Sequence, residues 1–202
     1  MATPEIRSND RILLGALQLF SSKGYDATSV REICEAAGVT KPTLYHFHGS
    51  KEGVYRALVD GTLEAFHASM VRDLEAPVSA EEKLRRVARG YFDNARQHRE
   101  LMRFILSLVH SPPGSAPRTD FPRFYEQMVG QIARCVEAGV AAREFRAGAT
   151  EIRMLVFMGA LGEAMCGNAL LGKPDLTPEL ADAIVDSMLQ GWRHSPTAPV
   201  HD

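Results

Sequence analysis

The chain has 202 residues, 45% of them hydrophobic and 24% charged, and a net charge of −2. Those values belong to soluble globular proteins, and the acidic balance argues against a protein that coats nucleic acid by bulk charge. The N-terminal residues lack the apolar core of a signal peptide, and no apolar run is expected to reach the roughly 18–20 residues that span a bilayer. A cytoplasmic protein without membrane association is therefore expected. Cys34, Cys135 and Cys166 are far apart and odd in number, without metal-ligand spacing. They read as small buried hydrophobes, with no disulfide framework, metal or cofactor.

In chain order the apolar pattern has the helical period throughout. A first helix is expected from Asp10 to Lys23, with Ile12, Ala16, Leu19 and Phe20 as its stripe. Two short helices joined at Gly38 follow. The first opens with a capping box, Ser29 and Glu32, and presents Val30, Ile33, Cys34 and Ala37 on one face. Gly38 stands where a left-handed residue ends a helix, and Thr40 then caps a second helix with Pro42 in its first turn. On that helix Leu44 and Phe47 are expected to face inward, and Lys41, Thr43, Tyr45 and His46 to face out. Ser50 caps a fourth, longer helix to about Met70, with Lys51 in its first turn. A cation there opposes the helix dipole, and a nearby phosphate would reverse the penalty.

Further helices are expected over 80–97, with a second capping box at Ser79 and Glu82, and then over 99–110, 122–142 and 151–171. The last runs from Thr177 to Trp192, behind a loop at 111–119 and ahead of a frayed tail at 196–202. The result is an all-α chain of about nine helices: a three-helix helix-turn-helix domain, then a helical domain for ligand binding and dimerisation. The domains are placed at 6–66 (motif 29–48) and 67–195.

Gly24, Tyr25, Thr28, Ser29, Val30, Ile33, Ala37, Gly38, Val39, Thr40, Thr43, Leu44, Tyr45 and Lys51 fall on the N-terminal signature of the TetR family of bacterial transcriptional regulators, which this segment resembles. The likeness covers about residues 6–66. One position departs: a usually aromatic site before the Gly-Ser-Lys turn is His48, with Phe47 beside it. The resemblance implies a double-stranded, near-palindromic DNA operator contacted by Thr28, Ser29, Thr40, Lys41, Thr43, Tyr45, His46 and Lys51. Residues 1–52 hold six Lys/Arg and six Asp/Glu, so contact must depend on where the cations sit and on helix N-termini aimed at phosphates. His48 is read as a packing residue.

The second half carries Met102, Phe104, Phe124, Tyr125, Met128, Met154, Phe157, Met158 and Met165. Most of such a set is core, and adaptable Met and aromatic walls also suit a pocket for an apolar effector. The helix at 151–171 is apolar on nearly every side and must be covered all round. With Gly159 and Gly162 on it, and Leu180, Ile184, Met188 and Trp192 on the last helix, it is expected to form a four-helix homodimer interface, as the family does. The expected function is a DNA-binding transcriptional repressor released by a small apolar ligand. The alternatives are a helical binder or enzyme with an incidental helix-turn-helix, and a regulator without a small inducer. No nucleophile–base–orienter set or phosphate loop supports an enzyme.

Overall fold

In a computed structural model residues 7–109, 117 and 121–192 are described. Among them are nine helices and no strand: α1 Ser8–Lys23, α2 Val30–Ala37, α3 Lys41–His48, α4 Lys51–Glu75, α5 Ala80–Gln97, α6 Arg99–Val109, α7 Phe121–Ala141, α8 Thr150–Leu171 and α9 Pro178–Gln190. The expected elements all form, and α4 runs five residues beyond Met70. The loop expected at 111–119 (except Pro117), His110 before it and the tail lie outside the described residues.

The chain divides into two compact units, Met1–Phe66 with His98–Pro122, and His67–Gln97 with Arg123–Asp202. The first contains α1, α2, α3, the N-terminal part of α4, and α6. Ile12, Ala16 and Phe20 of α1 are buried with Ile33 of α2, Leu44 of α3 and Val54, Tyr55 and Leu58 of α4. Phe20 stacks on Phe104 of α6 with centroids 6.0 Å apart, and Tyr55 meets both rings edge-on at 5.9 and 5.7 Å. Phe104, expected in an effector pocket, is thus core of the N-terminal unit. Met102 belongs to the same unit and is half-buried.

In the second unit α5, α8 and α9 pack on one another. Leu84, Val87 and Phe92 of α5 are buried with Ile132 and Val136 of α7, Phe157 and Leu161 of α8, and Val185 and Leu189 of α9. Charge ties α5 to α9: Arg89 donates to both oxygens of Asp182 at 2.7 and 2.8 Å, and Arg85 donates to Asp186 at 2.5 Å. The capping box at Ser79 forms by half. The Glu82 N–H donates to the Ser79 hydroxyl at 3.2 Å, but the Glu82 carboxylate accepts from Arg86 instead. Glu144, more than sixty residues away, accepts from the next two N–H groups of the helix start, those of Ala80 and Glu81, at 2.7 and 3.3 Å.

One expectation fails outright. Helix α8 has 22 residues, and its most apolar 18-residue window has a mean hydropathy of 1.5, enough by length and composition to cross a membrane where no such run is expected. Its inward side carries Met154, Phe157, Leu161 and Met165. Ile152, Leu155, Val156, Gly159 and Gly162 remain exposed on the other side.

Candidate nucleic-acid interface

The α2–α3 corner is built as its residue types demand. The Ser29 hydroxyl accepts from the Glu32 N–H at 3.3 Å, and the Ser29 N–H donates to the Glu32 carboxylate at 2.9 Å, closing the capping box. Gly38 is left-handed (φ 61, ψ 40). Its N–H donates to the Glu35 carbonyl at 3.2 Å and the Val39 N–H to the Cys34 carbonyl at 3.0 Å. These are the two bonds of a Schellman ending, which satisfies carbonyls that α2 leaves bare. The chain then enters α3 through Thr40, whose hydroxyl accepts from the Thr43 N–H at 3.4 Å and bonds the Thr43 hydroxyl at 2.8 Å.

With Leu44 fully buried under α3, the opposite side of the helix stays open. Thr40, Lys41, Tyr45 and His46 are exposed and Thr43 is half-buried. Lys41 makes no ion pair with any described residue, and Ser29 is exposed beside its cap. These six of the eight expected contact residues are accessible to a ligand. A cation, a phenol, an imidazole and two hydroxyls on one short helix can bond phosphates and base edges.

The other two expected contacts are spent inside the fold. Thr28 is buried, and its hydroxyl donates to the Gly24 carbonyl at 2.8 Å. Lys51 folds back over the α1–α2 connection. Its Nζ donates to the Tyr25 and Thr28 carbonyls at 2.9 Å each and lies 4.1 Å from the centre of the Tyr25 ring. Two carbonyls and a ring face answer its charge, so a phosphate is not needed to explain its position. Lys51→Ala is accordingly expected to lower stability by about 1.5–3 kcal/mol, the range for hydrogen bonds to a charged group. The salt dependence of DNA binding should stay unchanged. Thermal melting and a salt titration check both, and a slope flatter by one unit per chain would return Lys51 to the phosphates.

The end of α3 reverses a further expectation. An α-helix turns about 100° per residue, so position i+4 lies about 40° from Leu44 and position i+3 about 60° away on the other side. His48, at i+4, takes the inner place. It is half-buried with its Nε2 lacking a partner among the described residues, and burial lowers its pKa, favouring the neutral ring over a phosphate-binding cation. Phe47, expected inside, is 47% exposed and packs edge-on against His46 at 5.3 Å.

Lys23 of α1 pairs with Glu32 at 2.6 Å. That pair, with the two Ser29 bonds, holds the Glu32 carboxyl down to about 2. A carboxyl whose folded pKa is depressed adds stability above its unfolded value, near 4.5. That stability is lost as pH falls toward 2. Glu32→Gln should therefore flatten the acid limb of the melting-temperature profile between those values and leave it parallel to wild type above pH 5.

In the second unit the remaining expected pocket residues separate. Met128, Met154, Phe157, Met158 and Met165 are buried, and the Tyr91 hydroxyl bonds the Met128 sulfur. Phe124 meets His67 edge-on at 6.0 Å, and Tyr125 is exposed. A cavity of about 290 Å³ lined by Val71, Leu74, Gln131 and Cys135, among others, shares no residue with the expected set. Of the expected dimer residues, Gly159 and Gly162 are exposed with nothing near an added Cβ, and Leu180 and Ile184 are half-buried. Met188 and Trp192 are buried within the chain, Trp192 against Phe145 at 5.8 Å and under the Arg153 guanidinium at 5.1 Å. Ile152, Leu155 and Val156, unnamed in the expected interface, stand exposed on α8 beside the two glycines. Their recurrence at i, i+3, i+4 and i+7 with Gly159 was the signal.

Comparison with known proteins agrees with this geometry. Residues 12–58 match the model of the bacterial regulatory proteins of the tetR family. The HTH-type transcriptional repressor ComR of Escherichia coli is 39% identical over 80 residues, 40% of this chain and 36% of that repressor. The chain thus matches about a third of the length of that relative. The crystal structure of the TetR family transcriptional regulator PfmR from Thermus thermophilus aligns with a TM-score of 0.74 at 25% identity, over 94% of this chain and all of the other. The regulator FadR from Bacillus subtilis, solved with stearoyl-CoA, shares the fold with a TM-score of 0.72 at 19% identity, over 90% and 97% of the two chains. A capped α2, a Schellman turn at Gly38, an open α3 face and a matching helical frame beyond it lead to one assignment: residues 12–58 form a DNA-binding domain of the kind found in the tetR family of bacterial regulatory proteins, and the chain as a whole shares the fold of solved TetR regulators.

Proposed function

We propose that this protein is a sequence-specific, DNA-binding transcriptional repressor of the cytoplasm. It acts as a homodimer on a near-palindromic operator and is released by a small, mostly apolar effector. The observation that carries the reading is the open face of α3, where Lys41, Tyr45 and His46 are exposed on a helix whose entry is fixed by the Thr40 cap and the Gly38 turn. Residues 6–66 are assigned to reading DNA, with α6 packed into the same unit, and the rest of 67–195 to the effector and the second copy.

With few free cations on α3, affinity comes from a small set of phosphate and base contacts made twice, once per chain, rather than from bulk charge. The exposed apolar side of α8 supports self-association, because a two-fold contact presents the same patch from both chains. The fold-mate solved with stearoyl-CoA supports compounds with a long acyl chain, free or as a thioester on an anionic carrier, as the first effector class to try. α4 bears directly on release, since one continuous helix runs from the N-terminal unit into the second.

Selection of duplexes from a random library by the wild-type protein, followed by a salt titration of the enriched sequence, tests the reading. Enrichment of a two-fold sequence with affinity falling steeply in salt supports it. Absence of enrichment at low salt overturns it.

A further inference from the structure

Residues 47 and 48 each occupy the less comfortable place. Phe47 leaves 47% of its surface in water, while His48 beside it buries an imidazole nitrogen that has no partner among the described residues. Exchanging the two side chains would remove both costs, putting the ring on the side of Leu44 and the imidazole in solvent. A local conflict that folding alone would resolve the other way points to a contact made outside the chain.

The neighbours of Phe47 identify that contact. Lys41, Tyr45 and His46 on the same helix are exposed and hydrogen-bonding or charged, which suits a polar, anionic surface. An aromatic ring on such a face needs an isolated apolar group within that surface. The major groove offers one, the 5-methyl of thymine, which protrudes among donors and acceptors and is read by apolar side chains.

We propose that Phe47 is a specificity-determining residue that packs on a thymine 5-methyl group, so that the protein selects half-sites carrying thymine at that step. The inference rests on the DNA-binding reading above. His46, edge-on to Phe47 at 5.3 Å, braces the ring for that contact.

The test uses the full chain and the duplex enriched from a random library by wild-type protein. Failure to enrich any duplex removes the DNA-binding reading itself. Once a duplex is enriched, deoxyuridine replaces thymine one position at a time, which deletes the methyl and keeps every hydrogen-bonding edge. Wild-type protein is expected to lose about fourfold in affinity at one position per half-site, the worth of one buried methyl, and about fifteenfold when both half-sites are changed. Phe47→Ala should bind the thymine and uracil duplexes equally. Phe47→Ser should melt within a degree or two of wild type, because in the free protein the ring lies half in solvent and packs edge-on against the exposed His46 ring rather than into the core. A duplex with no uracil-sensitive position overturns the proposal. So does a Phe47→Ala protein that keeps the sensitivity, or a Phe47→Ser protein that melts several degrees lower.

Discussion

Gly53→Ala is expected to destabilise the N-terminal unit by about 2–4 kcal/mol, at or above the upper end of the usual overpacking range. Gly61→Ala, eight residues further along the same helix, is expected to stabilise it by about 0.5–1 kcal/mol. The difference lies in what a Cβ would meet. At Gly53 it would overlap the His48 carbonyl, which is backbone and cannot swing aside. That carbonyl is fixed because it accepts the Ser50 N–H at 2.8 Å within the tight α3–α4 corner, while the Ser50 hydroxyl accepts the Gly53 N–H at 2.9 Å. Relief requires the corner to open, which moves Phe47 and His46 with it. DNA affinity should therefore fall more than stability alone explains. At Gly61 nothing lies within reach of an added methyl, so only the lost flexibility of the unfolded chain counts. Urea denaturation of the two variants reads both signs. Equal midpoints for Gly53→Ala and wild type would show that the corner yields freely and that the close approach is not structural.

The helix-turn-helix segment shows what a sequence discloses and what it withholds. Ser29 with Glu32, Gly38, Thr40 and Pro42 announce helix ends because each acts on backbone groups within four residues of itself. Lys51 misleads for the opposite reason. Its acceptors are the carbonyls of Tyr25 and Thr28, more than twenty residues away, and no local pattern marks a carbonyl as free. Thr28 is hidden in the same way, by burial that depends on how the α1–α2 connection is covered. Phe104 looks like a pocket wall among the Met and Phe residues of the second half, yet it stacks on Phe20 in the first. Composition reports that a ring is available, not which unit collects it. At Phe47 and His48 the periodic rule that three apart means one face lost to the rule that four apart is closer.

Leu155→Asp is expected to convert a dimer into a helical monomer and to lower operator affinity by about a hundredfold or more. The chain leaves Leu155 71% exposed in the middle of α8, with Ile152 and Val156 beside it and Gly159 and Gly162 one and two turns on. Burying that stripe against a second copy removes apolar surface on both chains at once, so one substitution in a two-fold contact acts twice. The carboxylate would be placed against its own image, without a cation to answer it. The affinity loss follows from linkage. A dimer presents its second recognition helix at a high effective concentration, and a monomer must bind each half-site from solution. Gly162→Ala separates this account from a stripe that faces only solvent. In an exposed helix the alanine gains about 0.5–1 kcal/mol of helix propensity, so a bare stripe predicts a higher melting temperature at every concentration. If two helices approach closely over that glycine, the added methyl holds them apart, and sedimentation equilibrium shows weaker association even where the isolated chain is more stable. A wild-type chain that sediments as a monomer at tens of micromolar would remove the interface, and with it the requirement for a two-fold operator.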